Sequence, residues 1–219
     1  MTKNLKAAIF DLDGVIVDTA KYHFLAWKRM ANSLGFDFSE EQNEQLKGVS
    51  RMESLDRILA WGRISLDQAE KDRYAAKKND WYLDYIREMT PAEILPGVTA
   101  FLGELQATGI KMAIGSSSKN AMTIIDRIGL GSFFDTIVDG NRISKSKPDP
   151  EVFLKAADDL GVEPGLSLVF EDAEAGVEAA LRGGFHVIGI GSPEVLGAAD
   201  AVIPSLGGYS WPGLTALLR

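Results

Sequence analysis

Six short runs of apolar residues punctuate the chain: AAIF at 7–10, KMAIGS at 111–116, TIVD at 136–139, LSLVFED at 166–172, HVIGIG at 186–191 and DAVI at 200–203. Most are uniformly apolar rather than alternating, the pattern of strands covered on both faces of a parallel sheet. Between them, apolar positions recur with helical spacing over 97–108, 118–129, 150–160 and 173–183. This βαβα rhythm predicts an α/β fold with a doubly wound, Rossmann-like parallel sheet. Such sheets collect their ligands beyond the carboxyl ends of the strands. Asp11, Ser116, Glu171 and Asp172 all fall at such ends.

Residues 18–90 break the rhythm. They contain no convincing strand but do show helical faces, such as Ala20, Phe24, Trp27, Ala31 and Leu34, and a long Lys-, Asp- and Glu-rich stretch from Leu66 to Met89. Pro91 and Pro96 mark the return of the sheet pattern. The expected organisation is a catalytic core of residues 1–17 and 91–219, interrupted by a helical cap of residues 18–90. The chain crosses between the two near 15–18 and 90–96, which places the cap over the strand ends.

Composition narrows the chemistry. With 219 residues, 46% hydrophobic and 25% charged, the chain has the make-up of a globular enzyme. No apolar stretch approaches the length of a membrane span. The apolar start runs directly into Asp11 without a cleavage site, which predicts a cytoplasmic protein. The absence of cysteine and the presence of only two histidines disfavour thiolate or histidine-rich metal sites, so any metal should be a hard cation held by oxygen. A net charge of -8 argues against a nucleic-acid surface.

Four pieces of chemistry lie at the predicted strand ends. Asp11 and Asp13, two apart on a strand followed by Gly14, turn their carboxyl groups to one side, where they can share a substrate and a metal. In IGSSSKN, Ser116 ends a strand while Ser117, Ser118, Lys119 and Asn120 open a helix, which suits an anion, although the serines also read as plain helix caps. Lys147 in SKSKPDP is either a site lysine or a solvated one, with Lys145 as a neighbouring alternative. Glu171-Asp172 reads as a metal-binding pair or as an acidic helix start. Together the four read as phosphoryl transfer with Mg²⁺. Asp11 would attack phosphorus to give an aspartyl phosphate, and Lys147, Ser116 and nearby amides would neutralise the phosphoryl oxygens.

These motifs, in this order and over essentially the whole chain, resemble the haloacid dehalogenase superfamily of phosphotransferases. The resemblance implies Asp11 as nucleophile, Asp13 as general acid and base, and a metal held by Asp11, the backbone carbonyl of Asp13 and Asp172, with Glu171 in or beside the shell. Finer matches in FDLDGVIVDTAKYHFLAWK, NEQLKGVSRMESL, KKNDWY and SSSKN are similar to the β-phosphoglucomutase subfamily. They imply an isomerase that interconverts β-glucose 1-phosphate and glucose 6-phosphate through β-glucose 1,6-bisphosphate, working as a monomer on small sugar phosphates. A sugar-phosphate phosphatase is the alternative on the same scaffold.

By that resemblance Thr19 and His23 steady Asp13 and couple it to cap closure. Lys47, Gly48, Val49, Arg51 and Ser54 form the sugar-reading loop, and Lys78 belongs to the cap network. Arg51, Ser118, Lys119 and Asn120 grip the phosphate that is not being transferred. Trp27 stands among the substrate-side candidates, although its indole reads as readily as cap core, as does that of Trp61. Gly115 and Ser117 stand where the subfamily pattern expects alanines.

Overall fold

The computed structural model describes residues 4–218; residues 1–3 and 219, at the ends of the expected core segments, lie outside it. The chain runs β1 (Ala7–Phe10), α1 (Ala20–Ser33), α2 (Glu40–Glu44), α3 (Arg51–Trp61), α4 (Gln68–Arg87), α5 (Val98–Thr108), β2 (Lys111–Gly115) and α6 (Ala121–Ile128). It continues as β3 (Thr136–Val138), α7 (Glu151–Leu160), β4 (Ser167–Glu171), α8 (Glu174–Arg182), β5 (His186–Ile190), α9 (Pro193–Leu196), β6 (Ala201–Ile203) and α10 (Trp211–Thr215).

All six strands are parallel, in the order β3-β2-β1-β4-β5-β6. The order reverses direction between β1 and β4, and the crevice above that switch point is where a doubly wound sheet receives its ligand. Strand alternation divides the core. Ala8, Phe10, Ile114, Leu168 and Phe170 face α5, α6 and α10, whereas Ala7, Ile9, Ala113, Val169 and Val187 face α7 and α8. Both faces are therefore buried, which accounts for the uniformly apolar runs. Phe10 stacks on Phe170 across the two central strands, with centroids 4.8 Å apart.

Helices α1–α4 follow β1 and gather around an apolar cluster of their own, built from Trp27, Met30, Phe38, Leu55, Ile58 and Ala75. Their starts are marked locally. Ser39 with Gln42, and Asp67 with Glu70, form reciprocal capping boxes on α2 and α4. The two crossings lie side by side: Val17 bridges Ile94 antiparallel, and Leu95 N–H donates to Ile16 O at 3.0 Å. No helix among the described residues is long and apolar enough to cross a membrane.

One helix start departs from expectation. The pattern predicts a helix from 118, but α6 begins at Ala121. Ser116 Oγ accepts the amide of Ser118 and Ser118 Oγ accepts that of Asn120, so side-chain turns hold 116–120 outside the helix.

Candidate active site

β1 ends by donating Asp11 N–H to Phe170 O at 2.9 Å, which fixes Asp11 beside the end of β4. Just past the end of β1, Leu12 is buried in the core while Asp11 and Asp13 both face the crevice. Gly14 follows with φ +80°, and a Cβ there would stand 2.1 Å from Asp172 Oδ2. Only glycine allows both the turn and that approach. Gly176 plays the same part for Glu171, whose carboxyl carbon would lie 2.0 Å from an added Cβ.

Lys147 joins the two strand ends. It is 2% exposed, with Nζ 2.5 Å from Asp11 Oδ1 and 2.8 Å from Glu171 Oε2. Burial works to strip its proton, but the charges of Asp11 and Glu171 overcome burial and hold its pKa above the ordinary lysine value. Lys145 is exposed and pairs with Asp149 at 3.5 Å, so the choice left open between the two lysines falls to Lys147.

Asp11, Glu171 and Asp172 each bring an oxygen within 4.8 Å of the others. Lys147, with Lys47 at the edge, brings fewer positive charges than the three carboxylates bring negative ones, and burial raises the proton affinities of Glu171 and Asp172. Burial, set against the charge of Lys147, leaves Glu171 pushed up to about 8. Burial and the charge of Asp11 push Asp172 up to about 7. A converging set of hard oxygen donors carrying surplus negative charge fits a divalent cation. The side chain of Asp13 is not part of this group. It accepts a hydrogen bond from Thr19 Oγ1, and burial followed by the Asp11 charge pushes it up to about 7. Thr19 is the N-cap residue of α1, yet its hydroxyl makes no capping bond.

Opposite this floor, Lys78 Nζ lies 3.1 Å from His23 Nδ1, with Lys78 buried and His23 half-buried. Burial, then Lys78 and Arg51, lower the His23 pKa well below its ordinary value, so the ring is neutral. Lys78 Nζ sits 4.5 Å from the Trp27 ring centroid and 4.7 Å from that of Tyr82, and burial, then the charge of Arg51, lower its pKa well below the ordinary lysine value. Trp27 thus belongs to the helical cluster, at 2% exposure, and also lines the cavity. Trp61 packs on that cluster and is absent from the cavity wall.

The loop before α3 reaches down to the sheet side. Lys47 Nζ lies 2.8 Å from Glu44 and 3.7 Å from Asp172 Oδ2. Gly48, at φ +71°, packs close to Ala173 at the start of α8. Asn120 Nδ2 donates to Asn79 Oδ1 of α4 at 3.0 Å, a second tie between the helices and the sheet.

Between the two sides is a cavity of about 540 Å³. Asp11, Asp13, Thr19, His23, Trp27, Lys47, Gly48, Val49, Arg51, Ser54, Lys78, Asp172 and the whole of 116–120 line it, so nearly every residue singled out from sequence is in one place. Lys147 and Glu171 stand behind its floor, against Asp11. Several participants were missed in the sequence. Tyr82 lies against His23, tilted by 39° with centroids 4.2 Å apart, and Asn79 holds Asn120. Asn141, fastened by Asp139, donates to Lys119 O at 2.9 Å and so clamps the 117–119 loop. Tyr82 was detectable: it lies four residues beyond Lys78, on the same face of a helix. Nothing local marks Asn141.

A family model described as "Haloacid dehalogenase-like hydrolase" matches residues 8–190. The chain is 43% identical to a β-phosphoglucomutase of Bacillus subtilis over 91% of its own length and 89% of that protein's. It is also 33% identical to a phosphorylated carbohydrates phosphatase of Thermotoga maritima, over 84% of each. Among solved structures, a β-phosphoglucomutase from Clostridium difficile superposes with a TM-score of 0.94 at 40% identity, covering 97% of this chain and 96% of that one.

Proposed function

The chain belongs to the haloacid dehalogenase-like hydrolase family, and from that footing we propose that it interconverts β-glucose 1-phosphate and glucose 6-phosphate through β-glucose 1,6-bisphosphate. The observation that carries this reading is a single cavity with Asp11 on its floor and Lys47, Arg51 and Lys119 on its walls. One phosphate beside Asp11 does not need so much positive charge; a bisphosphate does. Residues 18–90 serve as a cap over a core of 1–17 and 91–219. The proposal includes a monomer working in the cytoplasm.

In the reaction, Asp11 attacks a phosphorus of the bisphosphate, and the bond from phosphorus to the sugar oxygen breaks as the acyl phosphate forms. Asp13 gives a proton to the departing oxygen. For the return step a molecule of β-glucose 1-phosphate presents its free 6-hydroxyl to the phosphorylated enzyme. Asp13 takes that proton, the oxygen attacks the aspartyl phosphate, and Asp11 is regenerated. The bisphosphate that forms turns to offer its 1-phosphate to Asp11. Lys147 and Ser116 hold the charge of the phosphoryl oxygens, while Arg51, Ser118, Lys119 and Asn120 grip the idle phosphate. Thr19 and His23 steady Asp13, and Lys47 to Ser54 read the sugar. A closed cap keeps water from the acyl phosphate.

The family works with a divalent metal, here proposed to be Mg²⁺. Asp11, Asp172, the Asp13 carbonyl and Glu171 would hold it, and it would neutralise charge on the phosphoryl group. Its binding should depend on pH with a definite sign. Glu171 and Asp172 hold protons up to about 8 and about 7, and those protons must leave for the oxygens to bind a cation. Affinity for Mg²⁺ should therefore tighten from pH 6 to pH 8, and the gain in Tm on adding it should grow. Equal affinity by calorimetric titration at both pH values would remove these carboxylates from the metal site.

Arg51→Ala should lower kcat/KM for the bisphosphate by about 10²-fold, the loss of two charge-assisted hydrogen bonds. Hydrolysis of p-nitrophenyl phosphate, which has no second phosphate, should change far less. Equal losses on the two substrates would place Arg51 outside the distal phosphate site. The whole reaction is tested by phosphorus NMR on β-glucose 1-phosphate with Mg²⁺ and a trace of bisphosphate. Glucose 6-phosphate should accumulate, and the α-anomer should remain untouched. Free phosphate as the sole product would make the protein a phosphatase.

A further inference from the structure

Tyr82 is fully buried on α4, and its hydroxyl is one of two buried side-chain groups among the described residues without a hydrogen-bond partner, the other being Ser117 Oγ. Folded proteins rarely leave such a group unmet. Its surroundings are those of the acid and base. The ring lies on His23, which stands one helical turn beyond Thr19, and Lys78 Nζ sits over its face. Burial and then the Asp13 charge push the phenol well above its usual range, so it keeps its proton and remains a donor. Thr19 has a single proton, and that proton is committed to Asp13 Oδ1. The hydroxyl can therefore only accept a further hydrogen bond.

We propose that Tyr82 is a positioning residue that donates its hydroxyl to Thr19 Oγ1 during turnover, completing a chain from Tyr82 through Thr19 to Asp13. A donor behind Thr19 strengthens the hydrogen bond Thr19 itself donates, since linked hydrogen bonds polarise one another. Asp13 is then held by Oδ1, and Oδ2 is left free to exchange a proton with the sugar oxygen. The inference rests on the assignment of Asp13 as general acid and base.

Tyr82→Phe keeps the ring on His23 and removes only the hydroxyl. Phosphorylation of Asp11 is followed in single turnovers with two donors. β-Glucose 1,6-bisphosphate releases a sugar oxygen that needs a proton, whereas p-nitrophenyl phosphate releases a phenolate that needs none. The variant should be about tenfold slower with the first and unchanged with the second, at unaltered Tm and KM. In a Thr19→Val background the same substitution should add nothing further. Equal slowing with both donors, or none with the bisphosphate, overturns the proposal. Failure of the wild type to make glucose 6-phosphate would sink the mutase reading alone, because the contrast between donors still decides the role of Tyr82.

Discussion

Asp11→Asn is expected to abolish phosphoryl transfer, lowering kcat by about 10⁴-fold or more while the protein stays folded and still binds sugar phosphates. The expectation follows from what the substitution leaves alone. The amide matches the carboxyl group in size, and the backbone of residue 11 keeps its hydrogen bond to Phe170 O. The floor of the cavity should therefore hold its shape. What disappears is a nucleophilic oxygen able to form an acyl phosphate. The electrostatics also ease, because the Asp11 charge is one of the causes that raise the pKa values of Asp13, Glu171 and Asp172. All three should titrate lower in the variant, so a loss of activity cannot be put down to a more strained site. The measurement is phosphorus NMR beside a thermal melt. A residual rate above about a hundredth of wild type, with a normal Tm, would mean that another group carries the phosphoryl.

The sheet was readable because both its faces are covered: β1, β2, β4 and β5 appear in the sequence as blunt apolar runs bounded by small or acidic residues. The site was readable because its chemistry sits where those runs end. Less legible was whatever depends on a side chain choosing between local and distant partners. Ser116 and Ser118 look like the opening of a helix, yet their hydroxyls hold the chain in turns that delay α6 to Ala121. Asn79 lies within KKNDWY but nothing there shows that it holds Asn120, and Asn141 carries no local signature, since each acts on a loop far away in sequence. Trp27 could be read as core or as cavity wall, and the packed helices make it both. Lys145 and Lys147 are equivalent in sequence; burial alone separates them.

That burial gives Lys147→Met the second large effect. Methionine fills the lysine stem but withdraws the one ammonium group that lies between Asp11 and Glu171. Removing one partner from a buried ion pair costs about 3 kcal/mol or more, which for a chain of this size means a fall in Tm of roughly 6–12 °C. The loss should deepen with pH. Glu171 sits at about 8 with Lys147 beside it lowering its pKa, so without the lysine the carboxyl group holds its proton to still higher pH. A group whose folded pKa lies above its unfolded value loses stability as pH rises toward the folded pKa. In the wild type that loss ends near pH 8, whereas in the variant it continues, so the gap in Tm measured in chelator should be wider at pH 9 than at pH 7. Lys147 itself does not blur the comparison, because its raised pKa keeps it charged throughout. Added Mg²⁺ should recover part of the stability, since a cation among the same oxygens takes over some of the neutralisation. Turnover should still fall by about 10²–10³-fold, because the ammonium is also a fixed donor to the phosphoryl oxygens. An unchanged melting temperature at both pH values would mean that the two carboxylates do not depend on Lys147 for their charge.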